Sequence, residues 1–270
     1  MCLLIGYNNG ILHIIYTPIQ RYTTPIYTLI VINIFICIVY MYIYNICIIL
    51  IILISTIITH KCLVYITERH KNFKKRNLCL GYYLNCFINT FVAITLYLLI
   101  IINLKSLWEN VHFPNIITIF AYLVIVDSFF YWLHRTIHRI PFLKKQLHMT
   151  HHSAHDLVPL DLYYTDIKEH IIYTLLVGTA PLFFLNINLV DYILANIIIF
   201  FHALHTHSAT NTKFMLPLFI DSKYHKYHHQ IGKGNYAVYF NIWDNYMGTR
   251  IKPNKKKKPR ANHSLKTSTI

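Results

Sequence analysis

Eight histidines fall into three short groups whose spacings are those of a helix. His134 and His138 stand four residues apart, so their rings lie one above the other on one helix face. His148, His151 and His152 stand at i, i+3 and i+4, within about a third of a helix circumference. The same spacing recurs in His225, His228 and His229. Three helical faces loaded with imidazole have one economical use, the enclosure of metal. A zinc-like ion takes four ligands, so eight imidazoles imply at least two ions. No cysteine accompanies these groups, which argues against structural zinc and iron–sulfur clusters. Imidazole itself suits Zn, Cu, Fe and Ni, and ligand type alone leaves the metal open.

The elements that position these groups belong to a membrane protein. The chain has 270 residues, of which 55% are hydrophobic and 13% charged, too apolar for an ordinary soluble domain. The expected fold is all-α: a polytopic membrane helical bundle with a cytosolic, histidine-rich metal-binding cap. The net charge is +15, gathered in runs beside apolar stretches. That placement marks a cytosolic membrane face, and no nucleic-acid-binding module accompanies it. The six cysteines have no paired spacing, hence no disulfide framework is expected.

Four regions follow. Residues 1–24 are mixed and lack the layout of a signal peptide. Residues 25–133 hold the transmembrane helices. Pro25 to Thr59 is too long for one perpendicular span, and either one tilted helix or a hairpin near Tyr44 and Asn45 fits. Spans are also expected over Cys86 to Leu104 and Ile116 to Leu133. The basic run His60 to Asn77, and Arg135, Arg139, Lys144 and Lys145, place the first histidines on the cytosolic side. Residues 134–250 hold the histidine groups and are the expected catalytic region. Within it, residues 171–201 are interrupted by Pro181, Asn186, Asn188 and Asp191, which predicts a hairpin dipping into the membrane with limbs of roughly 12–15 residues. Residues 251–270 are a basic tail suited to anionic lipid. Asp127, near the membrane end of a span, is a candidate hydrogen-bond partner for a ligand imidazole or a capping carboxylate. Trp132 and Trp243 suit interface anchors or substrate contacts, and Asp244 with Gly248 and Thr249 suits a turn that supports the last histidine group.

The run D-xx-FYW-x-HR-xx-H from Asp127, then HxxHHS, then HxxHH followed by GNYAVYFNIWDNYMGT, resembles the fatty acid hydroxylase/sterol desaturase superfamily over about Asp127 to Arg250. The resemblance implies metal ligands at His134, His138, His148, His151, His152, His225, His228 and His229. It also implies a histidine at the end of the membrane hairpin. His205 fits that spacing, with His202 and His207 as alternatives or as groups that orient ligands. Relatives carry HPxE or HPxD after the second group. Here Asp166 stands at the histidine position and Glu169 keeps the acid, so Asp166 or His170 is a further tentative ligand.

The resemblance implies a membrane-bound non-haem di-iron oxygenase: two Fe ions, O2 as co-substrate, and hydroxylation or desaturation of a sterol or fatty acyl lipid. Electrons would come from a b-type haem protein or ferredoxin with its reductase. The setting would be the endoplasmic reticulum or a host endomembrane, with no nucleic acid partner. Two alternatives stay open, a dinuclear zinc membrane hydrolase and a catalytically degenerate paralogue, the latter because of Asp166.

Overall fold

A computed structural model describes residues 4–8, 11–15, 23–70, 72–73, 78–104, 107–108, 112–208 and 219–252. Most of the N-terminal segment, Lys71, residues 74–77 of the basic run and the basic tail from residue 253 lie outside the described residues. The chain divides into two compact units, residues 1–53 and 54–270. The first contains an antiparallel hairpin, β1 (Leu4–Asn8) and β2 (Ile11–Ile15), paired from Leu4 with Ile15 to Asn8 with Ile11. It also contains the beginning of α1 (Thr23–Glu68). That helix runs without interruption through Tyr44 and Asn45, so of the two readings of this stretch the single long helix is the one adopted.

Apart from the hairpin the architecture is helical. Among the described residues four helices are long and apolar enough to cross a membrane: α1 over Ile43–Glu68, α2 (Leu80–Asn103), α3 (Ile116–Arg139) and α6 (Leu189–His207). They leave large side chains such as Leu80, Phe120, Ile197 and Phe201 exposed, a surface that suits lipid rather than water. The protein is thus an integral membrane helical bundle. α2 begins six residues before the expected Cys86. α3 continues past Leu133 and carries both His134 and His138.

Between α3 and α6 the chain makes short helical pieces. α4 (residues 141–152) contains a π turn at Lys144–His148, and α5 (residues 167–179) contains another at Tyr173–Val177. A 3-10 segment, Pro159–Tyr163, is fixed on α2 by polar side chains. The Tyr82 hydroxyl donates to Asp161 at 2.8 Å, and Asn89 Nδ2 donates to the carbonyls of Tyr163 at 3.1 Å and Thr165 at 2.9 Å. Asp166 then caps α5 by accepting from the Lys168 amide at 2.9 Å.

The two limbs of the apolar stretch are unequal. The first is broken by its π turn and by Pro181, inside a 3-10 turn at Ala180–Phe183. The second, α6, has 19 residues rather than 12–15, because Asn188 and Asp191 fall at its start. Asn188 Oδ1 accepts from the amides of Val190 and Asp191, and Asp191 accepts from the Asn115 amide at 2.7 Å. Polar residues that read as interruptions are helix caps.

α7 (Ser222–Ile231) and α8 (Ile242–Tyr246) are the last helices among the described residues. Two carboxylates fix the loop between them. Asp127 accepts from the amides of Tyr239 at 3.0 Å and Phe240 at 3.2 Å, so its partners are backbone amides and not an imidazole. Asp244 accepts from the amides of Tyr236 and Ala237, the Tyr224 hydroxyl and the Thr249 hydroxyl, building the turn expected there. Trp243 stacks on Tyr131 at 6.0 Å and donates to Ser128 at 2.9 Å, which makes it a packing residue of α3.

Two expectations follow. Asp127→Ala leaves two buried amides without an acceptor and should destabilise the protein by about 1–3 kcal/mol, with Asp127→Asn milder; thermal unfolding in detergent reads both. Gly234 has φ +65°, and a Cβ there would lie 2.5 Å from Ile251 and 2.7 Å from the Thr249 carbonyl. Gly248 has φ +64° with nothing within 4 Å of its added Cβ. Gly248→Ala should therefore lose only the left-handed penalty of about 1–2 kcal/mol, and Gly234→Ala clearly more. Equal midpoints for the two variants would contradict this.

Candidate metal centre

The helical pieces bring nine histidines into two adjoining groups. His134, His138, His148, His152 and His228 form the first; His151, His207, His225 and His229 form the second. Within each group every residue offers a nitrogen, and these nitrogens lie within 4.8 Å of one another. Each HxxHH motif is shared between the groups. The i, i+4 pair His148 and His152 faces the first group, while His151 turns to the second. In α7 the i, i+4 pair His225 and His229 faces the second group, and His228 turns to the first.

Facing nitrogens are close. Nε2 atoms of His134 and His148 lie 2.9 Å apart, and His152 Nε2 lies 3.0 Å from those of His138 and His228. In the second group, His207 Nε2 lies 3.4 Å from His151 and 3.2 Å from His225, and His229 lies 3.1 Å from His225. Burial, reinforced by neighbouring imidazoles, holds His148, His151, His225 and His229 well below the usual histidine range, and burial brings His228 to about 3. These rings are neutral at pH 7.

The other ring nitrogens settle where the proton sits. Nδ1 of His134 faces the Tyr236 carbonyl at 2.7 Å, His138 that of Gly232 at 3.1 Å, and His228 that of Gly234 at 2.6 Å. His148 Nδ1 faces Glu169 at 2.5 Å, and the Thr165 hydroxyl donates to the other carboxyl oxygen. His207 Nδ1 faces the Ala203 carbonyl at 2.8 Å and His151 Nδ1 that of Tyr164 at 3.3 Å. An acceptor at Nδ1 puts the proton there and leaves a bare lone pair at Nε2. Bare lone pairs about 3 Å apart repel unless a cation lies between them. Nitrogens about 2.1 Å from one ion stand about 3.0 Å apart in an octahedron and about 3.4 Å in a tetrahedron. The donor set therefore fits two metal ions.

The loop after α7 supplies three of these acceptors. Gly232 and Gly234, both at positive φ, and Tyr236 turn their carbonyls onto His138, His228 and His134. Lys144 also donates to the Gly232 carbonyl at 2.9 Å. Burial raises the Glu169 carboxyl to about 8, while the two donors facing it favour its ionised form.

All eight histidines of the three spaced motifs lie in these groups. The ninth is His207, not His205. Two residues along α6 is about 200° around the helix, and His207 is the one whose phase meets His151 and His225. His202 turns elsewhere, with Nε2 facing the Ile220 carbonyl at 3.1 Å. Asp166 and His170 belong to neither group: Asp166 caps α5, and His170 lies against Tyr163, ring centroids 5.6 Å apart. The hold of Glu169 and Thr165 on His148 is a feature the motif spacings left unread.

Beside the histidines lies a cavity of about 530 Å³, a volume usual for small-molecule sites. His134, His148, His151, His207 and His225 line it. Away from them its wall is largely apolar, with Ile94, Ile101, Val126, Phe130, Val177 and Phe200 among its members.

Comparison with known proteins agrees with this geometry. The family described as fatty acid hydroxylase matches residues 119–249. Lathosterol oxidase of Homo sapiens is 28% identical over 149 residues, covering 52% of this chain and 47% of that protein. Methylsterol monooxygenase erg25A of Aspergillus fumigatus is 30% identical over 168 residues, covering 56% and 54%. Lathosterol oxidase of Rattus norvegicus is 25% identical, covering 58% and 54%. The chain spans about half the length of the curated relatives it matches. No solved structure matches it significantly. Residues 119–249, which contain the two histidine groups, match the fatty acid hydroxylase family, and the chain is similar to sterol-oxidising members of the fatty acid hydroxylase/sterol desaturase superfamily.

Proposed function

We propose that the protein is a membrane-bound oxygenase that hydroxylates or desaturates a lipid, with a sterol-type substrate favoured by the names of its relatives. The observation that carries the reading is the opening of an apolar, lipid-sized cavity onto two histidine groups suited to metal. The first group would hold one iron ion through His134, His138, His148, His152 and His228. The second would hold the other through His151, His207, His225 and His229. Such a pair of ions, when bound, would supply activation of O2 against an unactivated C–H bond.

The chain's own part is placement and exclusion. Carbonyls of Gly232, Gly234 and Tyr236 keep three imidazoles in one tautomer and orientation. Glu169 does the same for His148, and Thr165 anchors Glu169. The apolar wall excludes water and admits hydrocarbon, and Phe130, edge-on to His134 at 5.2 Å, joins that wall to the histidines. No side chain is needed as a nucleophile. Electrons would reach the site from a b-type haem protein or ferredoxin with its reductase. Arg135, Arg139, Lys144 and Lys145 beside the histidines favour a cytosolic site on the endoplasmic reticulum or a related membrane.

Two measurements test this. Lipid mass spectrometry of a heterologous host, with and without the protein, should show a species that has gained one oxygen or lost two hydrogens. An unchanged lipid profile in a host supplying the electron donors would count against the oxygenase reading. Metal analysis of purified variants tests the ligand set. His207→Ala should lower iron toward one equivalent and abolish turnover, as should His228→Ala, whereas His205→Ala should keep both ions. The reverse pattern for His205 and His207 would overturn the assignment of the ninth ligand.

A further inference from the structure

A row of oxidisable rings leads away from the first histidine group. The Tyr236 ring lies against those of His138, His134 and His228, with centroids 5.3, 5.8 and 5.9 Å apart. On its other side Tyr236 meets Tyr131 at 6.3 Å. Tyr131 stacks on Trp243 at 6.0 Å and meets Trp132 at 5.4 Å, and Trp243 meets Tyr246 at 6.2 Å. Tyr131 is fully buried, whereas Trp132 is 44% and Tyr246 80% exposed. The row therefore has its inner end on imidazoles and its outer ends at the surface. Tyrosine and tryptophan are the aromatic side chains that give up one electron most readily, and rings this close pass it from one to the next.

The Tyr131 hydroxyl is placed to lose a proton. Arg135 donates to its oxygen at 3.1 Å, and the oxygen lies 2.9 Å from the Thr249 hydroxyl. Thr249 has one hydroxyl proton and donates it to Asp244 at 2.6 Å, so Tyr131 is the donor to Thr249. A relay thus runs from the phenol through Thr249 to a carboxylate. The Arg135 guanidinium, 5.8 Å from the Tyr131 ring and 5.5 Å from that of Trp132, disfavours a ring cation and favours a neutral radical formed with loss of the proton. The cavity side differs. There Tyr173 reaches His134 through Phe130, a ring that resists oxidation, and the Tyr173 hydroxyl is buried with no acceptor for its proton.

We propose that Tyr236, Tyr131 and Trp243 form an electron route that discharges an unused oxidising equivalent at the histidine groups when no lipid C–H bond lies in reach. The proposal rests on the reading of those groups as an iron site. An electron leaves Tyr131 through the Tyr236 ring. As it does, the phenolic proton passes to Thr249 and the Thr249 proton to Asp244. Trp243, Trp132 and Tyr246 refill Tyr131, its proton returns, and a soluble one-electron reductant of the ascorbate class refills the exposed ring. With peroxide as the oxidant, one hydrogen peroxide and two ascorbate monoanions give two waters and two ascorbyl radicals. Without the route the same oxidant would be spent on the ligand rings and the cavity wall.

Freeze-quench electron paramagnetic resonance of the purified full chain tests this, with ferrous iron loaded and measured, hydrogen peroxide as oxidant and no lipid present. The protein should give a tyrosyl radical that ascorbate removes. Tyr131→Phe keeps the stacked ring and should lose that signal at unchanged iron content, whereas Tyr173→Phe should keep it. Peptide mass spectrometry should find added oxygen at Trp132, Trp243 and Tyr246 ahead of Trp108, which is 52% exposed but lies between α2 and α3, away from the histidine end of α3. Trp243→Phe should prolong the tyrosyl signal and lower oxidation at Tyr246. The route is overturned by an equal signal in Tyr131→Phe, by loss of the signal in Tyr173→Phe, or by oxidation of Trp108 equal to that of the row. Should Tyr131→Phe fail to hold iron, unchanged oxidation at Tyr246 in Trp243→Phe overturns it instead. A chain that binds no iron sinks the iron reading and the route together. One that binds iron and consumes peroxide without these signatures sinks the route alone.

Discussion

Neutral imidazoles whose Nε2 atoms face one another at about 3 Å, lone pair to lone pair where both Nδ1 atoms have an acceptor as in His134 and His148, are the constraint around which this molecule is arranged. Each such contact is unfavourable by itself, and each lies in a buried place where the charged form of histidine is penalised. The fold holds the rings there by gripping their far nitrogens. For His134, His138 and His228 the grip is a backbone carbonyl from one short loop, and for His148 it is Glu169. The repulsion that remains would be relieved by a cation between the nitrogens. Metal affinity and conformational stability are then two readings of the same contacts.

The loop from Gly232 to Tyr236 shows how the backbone is bent to that task. Gly232 ends α7 in a left-handed conformation, and its amide closes on the His228 carbonyl at 2.7 Å. Its own carbonyl is thereby freed for His138 and Lys144. Gly234 approaches Thr249 and Ile251 too closely for any Cβ. Asp244 and Asp127 then fix the following residues through four backbone amides, those of Tyr236, Ala237, Tyr239 and Phe240. Asp127 and Asp244 thus act on the loop that supports the histidines.

Helical periodicity made the motif histidines legible in the sequence, since spacings of three and four survive whatever tertiary packing follows. Composition made the membrane spans legible, because no soluble core needs so much apolar surface. Phase on an isolated stretch did not resolve the ninth histidine. His202, His205 and His207 all lie near the end of α6, and the positions of α4 and α7 select His207. Asp166 drew attention as a misplaced ligand because its motif position was read without its neighbours. In three dimensions it is a helix cap, and the carboxyl that matters is Glu169 one turn on. Asn188 and Asp191 misled for a related reason: a polar residue inside an apolar run marks a break or a cap, and the run alone does not say which.

α5 joins the support of the histidine groups to the wall of the cavity. Its first turn carries Glu169, which orients His148, and His170, which lines the cavity. Its π turn carries Tyr173 against Phe130, and Phe130 touches His134. One short helix, docked on α2 through the 3-10 segment and Asn89, thus sets both the direction of a ligand ring and the wall that a lipid would meet. A displacement of α5 cannot alter one without altering the other. Placing both on the same element ties the cavity wall to the orientation of the histidines, so that under the proposed oxygenase reading the place of a bound lipid would be fixed relative to the metal site.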